Sequence, residues 1–168
     1  WGRAIGWFAM GLVDVLDYLP EDHPRRPELM KTAQKLADGI LKHQDEATGV
    51  WYQVVDQGTR EGNYLEASAS SMYSYFLLKA LNKGYLGEDY RQPAIRAFEG
   101  VVDEFVQENP DGTISLTSVC GVAGLGGDPY RSGTFEYYVN EIKRDNDPKG
   151  VAPFIMAALE YEKLQQKL

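Results

Sequence analysis

With 168 residues, of which 43% are hydrophobic and 25% charged, the sequence has the size and composition typical of one globular domain. Lysine and arginine number 17 against 25 aspartates and glutamates, and this formal net charge of −8 argues against nucleic acid and anionic membranes as partners. The single cysteine, Cys120, excludes an internal disulfide and a multi-cysteine metal site, and no apolar run approaches the roughly 18 residues of a membrane-spanning helix.

Apolar periodicity predicts three helices in the first half of the chain. The first begins near Ile5 and ends before Pro20, with apolar side chains on one face. A second begins near Pro27, because proline suits the first helical turn. The β-branched and aromatic run 49–56 then predicts a short extended segment. The third helix spans Glu66 to Gly84, and its many small side chains permit close approach of a neighbouring helix.

Two more helices are predicted in the second half, separated by a long connection. One follows Asp89, and the segment 113–119 then predicts a second extended piece. After the glycine-rich loop from Cys120 to Gly133, the last helix begins at the pair Asp147 and Pro148, a cap residue followed by a proline. The sequence therefore predicts an all-α fold of about five helices packed as antiparallel hairpins. Long aromatic loops alternate with short turns, so one end of the helical layer is expected to carry the function.

Patterns for metal and cofactor binding are missing from the sequence. His23 and His43 are the only histidines, and they lack the paired spacing of zinc ligands. The loop GLGGDP has Pro129 where the third glycine of a dinucleotide site should fall, so its glycines indicate a tight turn. No G-x-S-x-G motif marks a nucleophilic serine. We therefore expect neither a metal nor a cofactor, and no carboxylate is marked as a catalytic acid.

The opening run WGRAIGW holds two tryptophans and an arginine within seven residues. Tryptophan rings stack on the C–H face of a sugar, and an arginine can bind a carboxylate through two parallel hydrogen bonds. Trp1, Arg3 and Trp7 are therefore candidate ligands for an acidic sugar. The residues fit a structural role equally well, with Trp7 in the core and Arg3 as a surface cap of the first helix.

Four motifs, in this order and at similar spacing, resemble the C-terminal half of the unsaturated rhamnogalacturonyl hydrolases, glycoside hydrolase family 105, which is related to family 88. They are WGRAIGW, NYLEASASSMYSYFLLKALNKGYL, TSVCGVAGLGGDPYRSGTFEYYV and NDPKGVAPFIMAALEYE. Together they cover essentially the whole chain. The resemblance implies that residues 1–168 are a single-domain part of a six-hairpin α/α toroid.

The resemblance also implies a reaction. The family acts on the oligosaccharides left by pectin lyases and releases their terminal Δ4,5-unsaturated galacturonic acid. An aspartate protonates the C4=C5 double bond while water adds at C5, and the resulting hemiketal opens to release the saturated sugar. The reaction is a hydration, unlike direct displacement at the anomeric carbon by two carboxylates.

Carried over by position, Trp1, Arg3 and Trp7 match residues that line the family's substrate cleft, with Arg3 as the contact for the uronate carboxylate. Ile5 stands where the family often has asparagine, and this difference is expected to alter substrate preference. The family's catalytic aspartates precede the first motif. We therefore expect no catalytic residue in this chain, which begins at Trp1 without a methionine, and expect the isolated chain to be inactive.

An unsaturated uronic-acid oligosaccharide is thus the expected ligand. A half-toroid leaves apolar helix faces uncovered, which predicts either self-association or contact with the missing N-terminal half. The alternative function is a non-catalytic α/α module that binds carbohydrate or serves as a scaffold. An isomerase of the toroid class is disfavoured, because such enzymes depend on paired histidines.

Overall fold

The computed structural model describes residues 1–166, which form six α-helices and four short strands. The helices are α1 (Gly2–Tyr18), α2 (Arg26–Leu41), α3 (Ala67–Asn82), α4 (Arg91–Phe105), α5 (Phe135–Val139) and α6 (Pro148–Gln165). Two antiparallel pairs join β1 (Val106–Glu108) to β2 (Ile114–Leu116) and β3 (Val119–Cys120) to β4 (Lys143–Arg144). The five predicted helices are confirmed. The sixth, α5, is a five-residue helix in the long connection, capped by Thr134, whose side chain accepts a hydrogen bond from the Tyr137 amide.

The predicted extended segments are shorter than expected. In the run 49–56 only Tyr52 forms a strand-like bridge, to Leu65, and a 3-10 turn follows at Val55–Gln57. A side chain, and not a ladder of backbone hydrogen bonds to a second strand, holds this run in place. Trp51 is fully buried, and its indole N–H donates to the Ile40 carbonyl at 2.8 Å. The segment 113–119 contains β2 and the first residue of β3, so that expectation is largely met.

Helix α3 is the centre of the fold, packed between α1 and α6 and against α4. Every residue from Ala67 to Leu81 is buried. Its serines make this possible because their hydroxyls bond back to the helix: Ser71 Oγ donates to the Ala67 carbonyl at 2.7 Å, and Ser74 Oγ to that of Ser70 at 2.8 Å. A serine-rich helix can therefore be covered on all sides without unpaired hydroxyls.

All the long connections meet at the end of the layer where α1, α3 and α6 begin. The Gly2 amide donates to the Gln53 carbonyl at 3.0 Å, and the Ala67 amide to the Ser118 carbonyl at 3.2 Å. Asp147 caps α6 at this end, where its carboxylate accepts from the Lys149 amide at 3.0 Å. The short turns lie at the other end. The helical frame thus gathers the loops on one face, which we call the loop end.

Two open flanks border this layer. On α1 the side of the helix opposite α3 carries the half-exposed Phe8 and Val15. On α6 the corresponding side carries Ile155 and Leu159, also half-exposed. None of the helices within residues 1–166 has the length and apolar character needed to cross a membrane. Apolar stripes of this kind on opposite edges of a layer are suited to contact with further helices.

The close packing of α1 on α3 gives a direct test. A Cβ atom added at Gly6 would lie 2.6 Å from the Met72 sulfur and 2.8 Å from its Cβ, whereas one added at Gly11, on the same helix, would meet nothing within 4 Å. Gly6→Ala should therefore lower the free energy of unfolding by about 1–3 kcal/mol through overpacking. The matched control Gly11→Ala should raise it by about 0.5–1 kcal/mol, since alanine is the better helix former. Urea denaturation measures both, and equal effects would contradict this packing.

Candidate functional site

Arg3 is buried at the loop end, with only 2% of its surface exposed. Its Nε–H donates to Ser68 Oγ at 2.7 Å, and Nη1 donates to the Gly121 carbonyl at 3.3 Å. Nη2 donates to the Cys120 carbonyl and to Glu66 Oε1, the latter at 3.4 Å. A guanidinium has five N–H donors, so these four acceptors leave one N–H, on Nη1. Arg3 is therefore not a surface cap. Its guanidinium, which already contacts the Glu66 carboxylate, cannot bind the carboxylate of a ligand through two parallel hydrogen bonds.

Glu66 is the acceptor on which this arrangement depends. Its carboxylate is completely buried and also accepts from the Ala69 amide at 2.7 Å and the Cys120 amide at 2.8 Å. It thereby caps α3, holds β3 and neutralises Arg3 at once. From the sequence, Glu66 is only the first residue of the third predicted helix and is not a candidate site residue. Its place immediately before an apolar helix was the available signal, since acidic side chains favour helix N-termini.

Trp1 lies beside this network. Its indole ring stacks on Tyr138, with ring centroids 5.6 Å apart and planes inclined by 19°, and the Arg3 guanidinium lies 6.0 Å from the Trp1 centroid. The stacked tyrosine covers one face of the indole. The indole N–H is buried and has no hydrogen-bond partner in the structure. Trp1 therefore does not present two open ring faces, and its indole N–H is an unpaired polar atom inside the loop end.

Trp7 has the opposite character, because 49% of its surface is exposed. It follows Arg3 by four positions on α1, so the two side chains project from the same side of the helix. The structural role in which Trp7 anchors the helix in the core is therefore wrong. An exposed indole next to a buried arginine leaves an apolar ring surface open to a ligand.

A buried polar cluster joins these residues to the loops. Gln53 Nε2 donates to Cys120 Sγ and to the Tyr138 carbonyl, both at 3.1 Å, while Gln53 Oε1 is buried without a partner. Burial raises the pKa of the Cys120 thiol. Burial also raises the pKa of the Tyr64 hydroxyl, with the neighbouring Cys120 and Glu66 adding to the shift. Both groups are therefore protonated at neutral pH, and Cys120 is not a nucleophile in this setting.

A cavity of about 450 Å³ opens next to Trp1, between the start of α1 and the end of α2. Its polar wall includes Lys35, His43 and Asp56. Of the three expected site residues only Trp1 lines this cavity, and Arg3 and Trp7 lie outside it. No cluster of three potential metal ligands is found within residues 1–166, where His23 and His43 lie apart on a turn and on the cavity wall.

The loop end therefore combines a charge-neutralised arginine, an exposed indole and unpaired polar atoms, arranged by helices of a toroid-like layer. A family model described as Glycosyl Hydrolase Family 88 matches residues 1–165. The chain belongs to glycosyl hydrolase family 88. The fold agrees with this family, because the chain superposes on a glycoside hydrolase from family 105 of Clostridium acetobutylicum with a TM-score of 0.95 at 49% identity.

Three further proteins that resemble this family 88 chain have lower sequence identities than that hydrolase. The "24.9 kDa protein in picA locus" of Rhizobium radiobacter is 40% identical over 166 residues, which are 95% of this chain and 70% of that protein. The unsaturated rhamnogalacturonyl hydrolase YesR of Bacillus subtilis is 29% identical over 118 residues, covering 70% of this chain and 30% of that enzyme. A possible family 105 member from Salmonella enterica superposes with a TM-score of 0.80 at 27% identity.

This family 88 chain spans less than half of the structures it resembles. The superposition on the Clostridium acetobutylicum hydrolase covers 96% of this chain but 45% of that protein, and the Salmonella superposition covers 99% and 40%. The all-α architecture is accordingly that of part of an α/α toroid.

Proposed function

We propose that this chain forms the sugar-holding wall of an enzyme that removes Δ4,5-unsaturated galacturonic acid from rhamnogalacturonan-derived oligosaccharides. The observation that carries the proposal is the pairing of Arg3 and Trp7 on one side of α1, in a chain of a glycoside hydrolase family. The names of relatives such as YesR of Bacillus subtilis support the substrate class.

Under this proposal, different side chains contact the carboxylate and the ring of the sugar. The remaining N–H of Arg3 Nη1 donates to the uronate carboxylate, while Glu66 offsets most of the guanidinium charge. The exposed ring of Trp7 packs on the apolar face of the sugar. This arrangement holds an anionic sugar through one charged bond and one stacked ring. It differs from the two-pronged arginine contact expected from the sequence.

The chemical step requires a proton donor that this chain does not supply under the proposal. An aspartate from the part of the toroid outside this chain protonates C4, water adds at C5, and its proton returns to the aspartate or to solvent. The hemiketal formed at C5 then opens by cleavage of the bond between C5 and the ring oxygen, which leaves a ketone at C5 and a hemiacetal at C1. Collapse of this hemiacetal to an aldehyde breaks the bond from C1 to the saturated sugar, which leaves as an alcohol carrying the hemiacetal proton. The residues at the loop end hold the ring so that its double bond faces that acid.

The same proposal accounts for the open flanks. Phe8 and Val15 on α1, with Ile155 and Leu159 on α6, are the surfaces that further toroid helices would cover. We infer that the segment closing the ring packs there. The 45% coverage of the Clostridium acetobutylicum hydrolase supports this inference, since roughly half of a toroid remains to be supplied.

An activity assay on two proteins tests the proposal. The 168-residue chain and a version extended by the upstream residues of its gene are given the unsaturated galacturonyl-rhamnose disaccharide, and loss of the ultraviolet absorbance of the conjugated double bond is followed. We expect turnover by the extended protein only, with binding by both in calorimetry. Turnover by the short chain would contradict the missing-acid argument. Binding without turnover by the extended protein would favour the non-catalytic carbohydrate-binding module.

A further inference from the structure

The glycine-rich connection contains a loop, Gly124–Gly133, that is closed by its own hydrogen bonds. The Gly126 amide donates to the Arg131 carbonyl at 2.8 Å, and the Arg131 amide donates to the Gly126 carbonyl at 3.1 Å. Arg131 Nε–H donates to the same Gly126 carbonyl at 3.1 Å. The side chain of Arg131 thus fastens the loop to its own base.

The glycines are needed for this closure. A Cβ atom at Gly124 would lie 2.9 Å from Arg131 Nη1, and one at Gly127 would lie 2.9 Å from Nη2. Gly127 also has a positive φ of 85°, a conformation that other residues rarely adopt. The guanidinium therefore fills the space that side chains would take, and the loop has one defined shape.

This defined loop does not bury its apolar side chains. Tyr130 is 75% exposed and Leu125 is 70% exposed. Ordering a loop costs conformational entropy. In this loop the internal hydrogen bonds offset that loss, and the ring of Tyr130 stays exposed. An exposed ring on a loop of fixed shape is the arrangement that a sugar-stacking platform requires, because little further entropy is lost when the ligand binds.

The loop adjoins the candidate site through a row of aromatic rings. The hydroxyl of Tyr138 lies 3.6 Å from the Cβ position of Gly133, at the end of the loop, and the Tyr138 ring stacks on Trp1. Tyr137 packs edge-on against Tyr138, with centroids 5.3 Å apart. This row of rings therefore connects Trp1 to the end of the loop that carries Tyr130.

We propose that Tyr130 is a specificity-determining residue, which stacks on the second sugar ring, the pyranose attached to the unsaturated uronate. The proposal rests on the proposed function, in which the first ring is held by Arg3 and Trp7. A ligand of two or more rings would contact Tyr130, whereas a single uronate ring would not.

Calorimetry with two probes tests the assignment. The probes are the unsaturated galacturonyl-rhamnose disaccharide and the methyl glycoside of the unsaturated uronate, which lacks the second ring. Tyr130→Ala in the full chain should weaken disaccharide binding about fivefold, the size of one aromatic stacking contact, and leave the one-ring affinity unchanged. Tyr130→Phe, which keeps the ring, should restore the disaccharide affinity. Tyr18→Ala, at an 88% exposed tyrosine in the last turn of α1, is the matched control and should change neither affinity.

The outcomes separate the two proposals. If the wild-type chain binds both probes and Tyr130→Ala weakens both equally or neither, the role of Tyr130 is overturned while the proposed function stands. If the wild-type chain and its extended form bind neither probe, the proposed function itself fails. If Tyr130→Ala loses affinity for the disaccharide only, and Tyr130→Phe recovers that affinity, the result supports stacking of Tyr130 on the second sugar ring.

Discussion

Glu66→Ala should lower the free energy of unfolding by about 3–5 kcal/mol, because it removes one partner of a buried ion pair and leaves the other charge without compensation. Arg3 has 2% and Glu66 0% of the side chain exposed. The substitution also leaves the amides of Ala69 and Cys120 without their acceptor. Chemical denaturation followed by circular dichroism measures the loss, and the exposed Glu61 provides the control as Glu61→Ala, with a change within roughly 0.5 kcal/mol.

A double-mutant cycle makes this expectation specific to the pair. The cycle uses Arg3→Met and Glu66→Leu, each alone and both together. Because the double variant removes both charges, it should lower the free energy of unfolding by clearly less than the sum of these two single effects. The recovery is incomplete, because the capping bond to the Ala69 amide is still lost. Simple additivity of the two single effects would show that Arg3 and Glu66 are not coupled.

Trp7→Ala should weaken binding of the unsaturated disaccharide about tenfold, since it removes both a stacked ring and its apolar contact area. The 49% exposure of Trp7 means that little packing is lost, so the free energy of unfolding should stay within roughly 0.5 kcal/mol of the wild-type value. Calorimetric titration of the folded variant measures the affinity.

The adjacent residue supplies a matched control for this result. Phe8 is exposed to a similar degree but belongs to the flank of α1 opposite α3, away from the side that carries Arg3. Phe8→Ala should therefore leave the sugar affinity unchanged. An equal loss in both variants would indicate a general effect of removing an exposed aromatic side chain and would contradict a stacking role for Trp7.

The helices could be predicted from the sequence because their signals are local. The cap at Asp147 followed by Pro148 is confirmed, and Gly84 has the positive φ of 71° that suits a residue after a helix. Among the α-helices, α5 was missed because it has only five residues and is too short to show a period. The structure also confirms that the long loops lie at one end.

The site was less predictable because its interactions connect distant parts of the chain. Periodicity could not decide whether Trp7 faces the core or solvent, since that depends on where α3 packs against α1. Arg3 and Glu66 are separated by 63 positions, and Glu66 and Cys120 by 54. No local pattern indicates such pairs, so the sequence marks Arg3 as a candidate residue but predicts neither its partner nor its burial.

The partners of Arg3 have a consequence for how the chain folds. They lie between 63 and 118 positions away, at the start of α3 and at the end of β3. Contacts of such long range form only after the intervening chain has been closed into loops, which slows folding relative to helix formation. The helices should therefore form well before the arginine is enclosed, and sugar-binding competence should be among the last properties to appear during refolding.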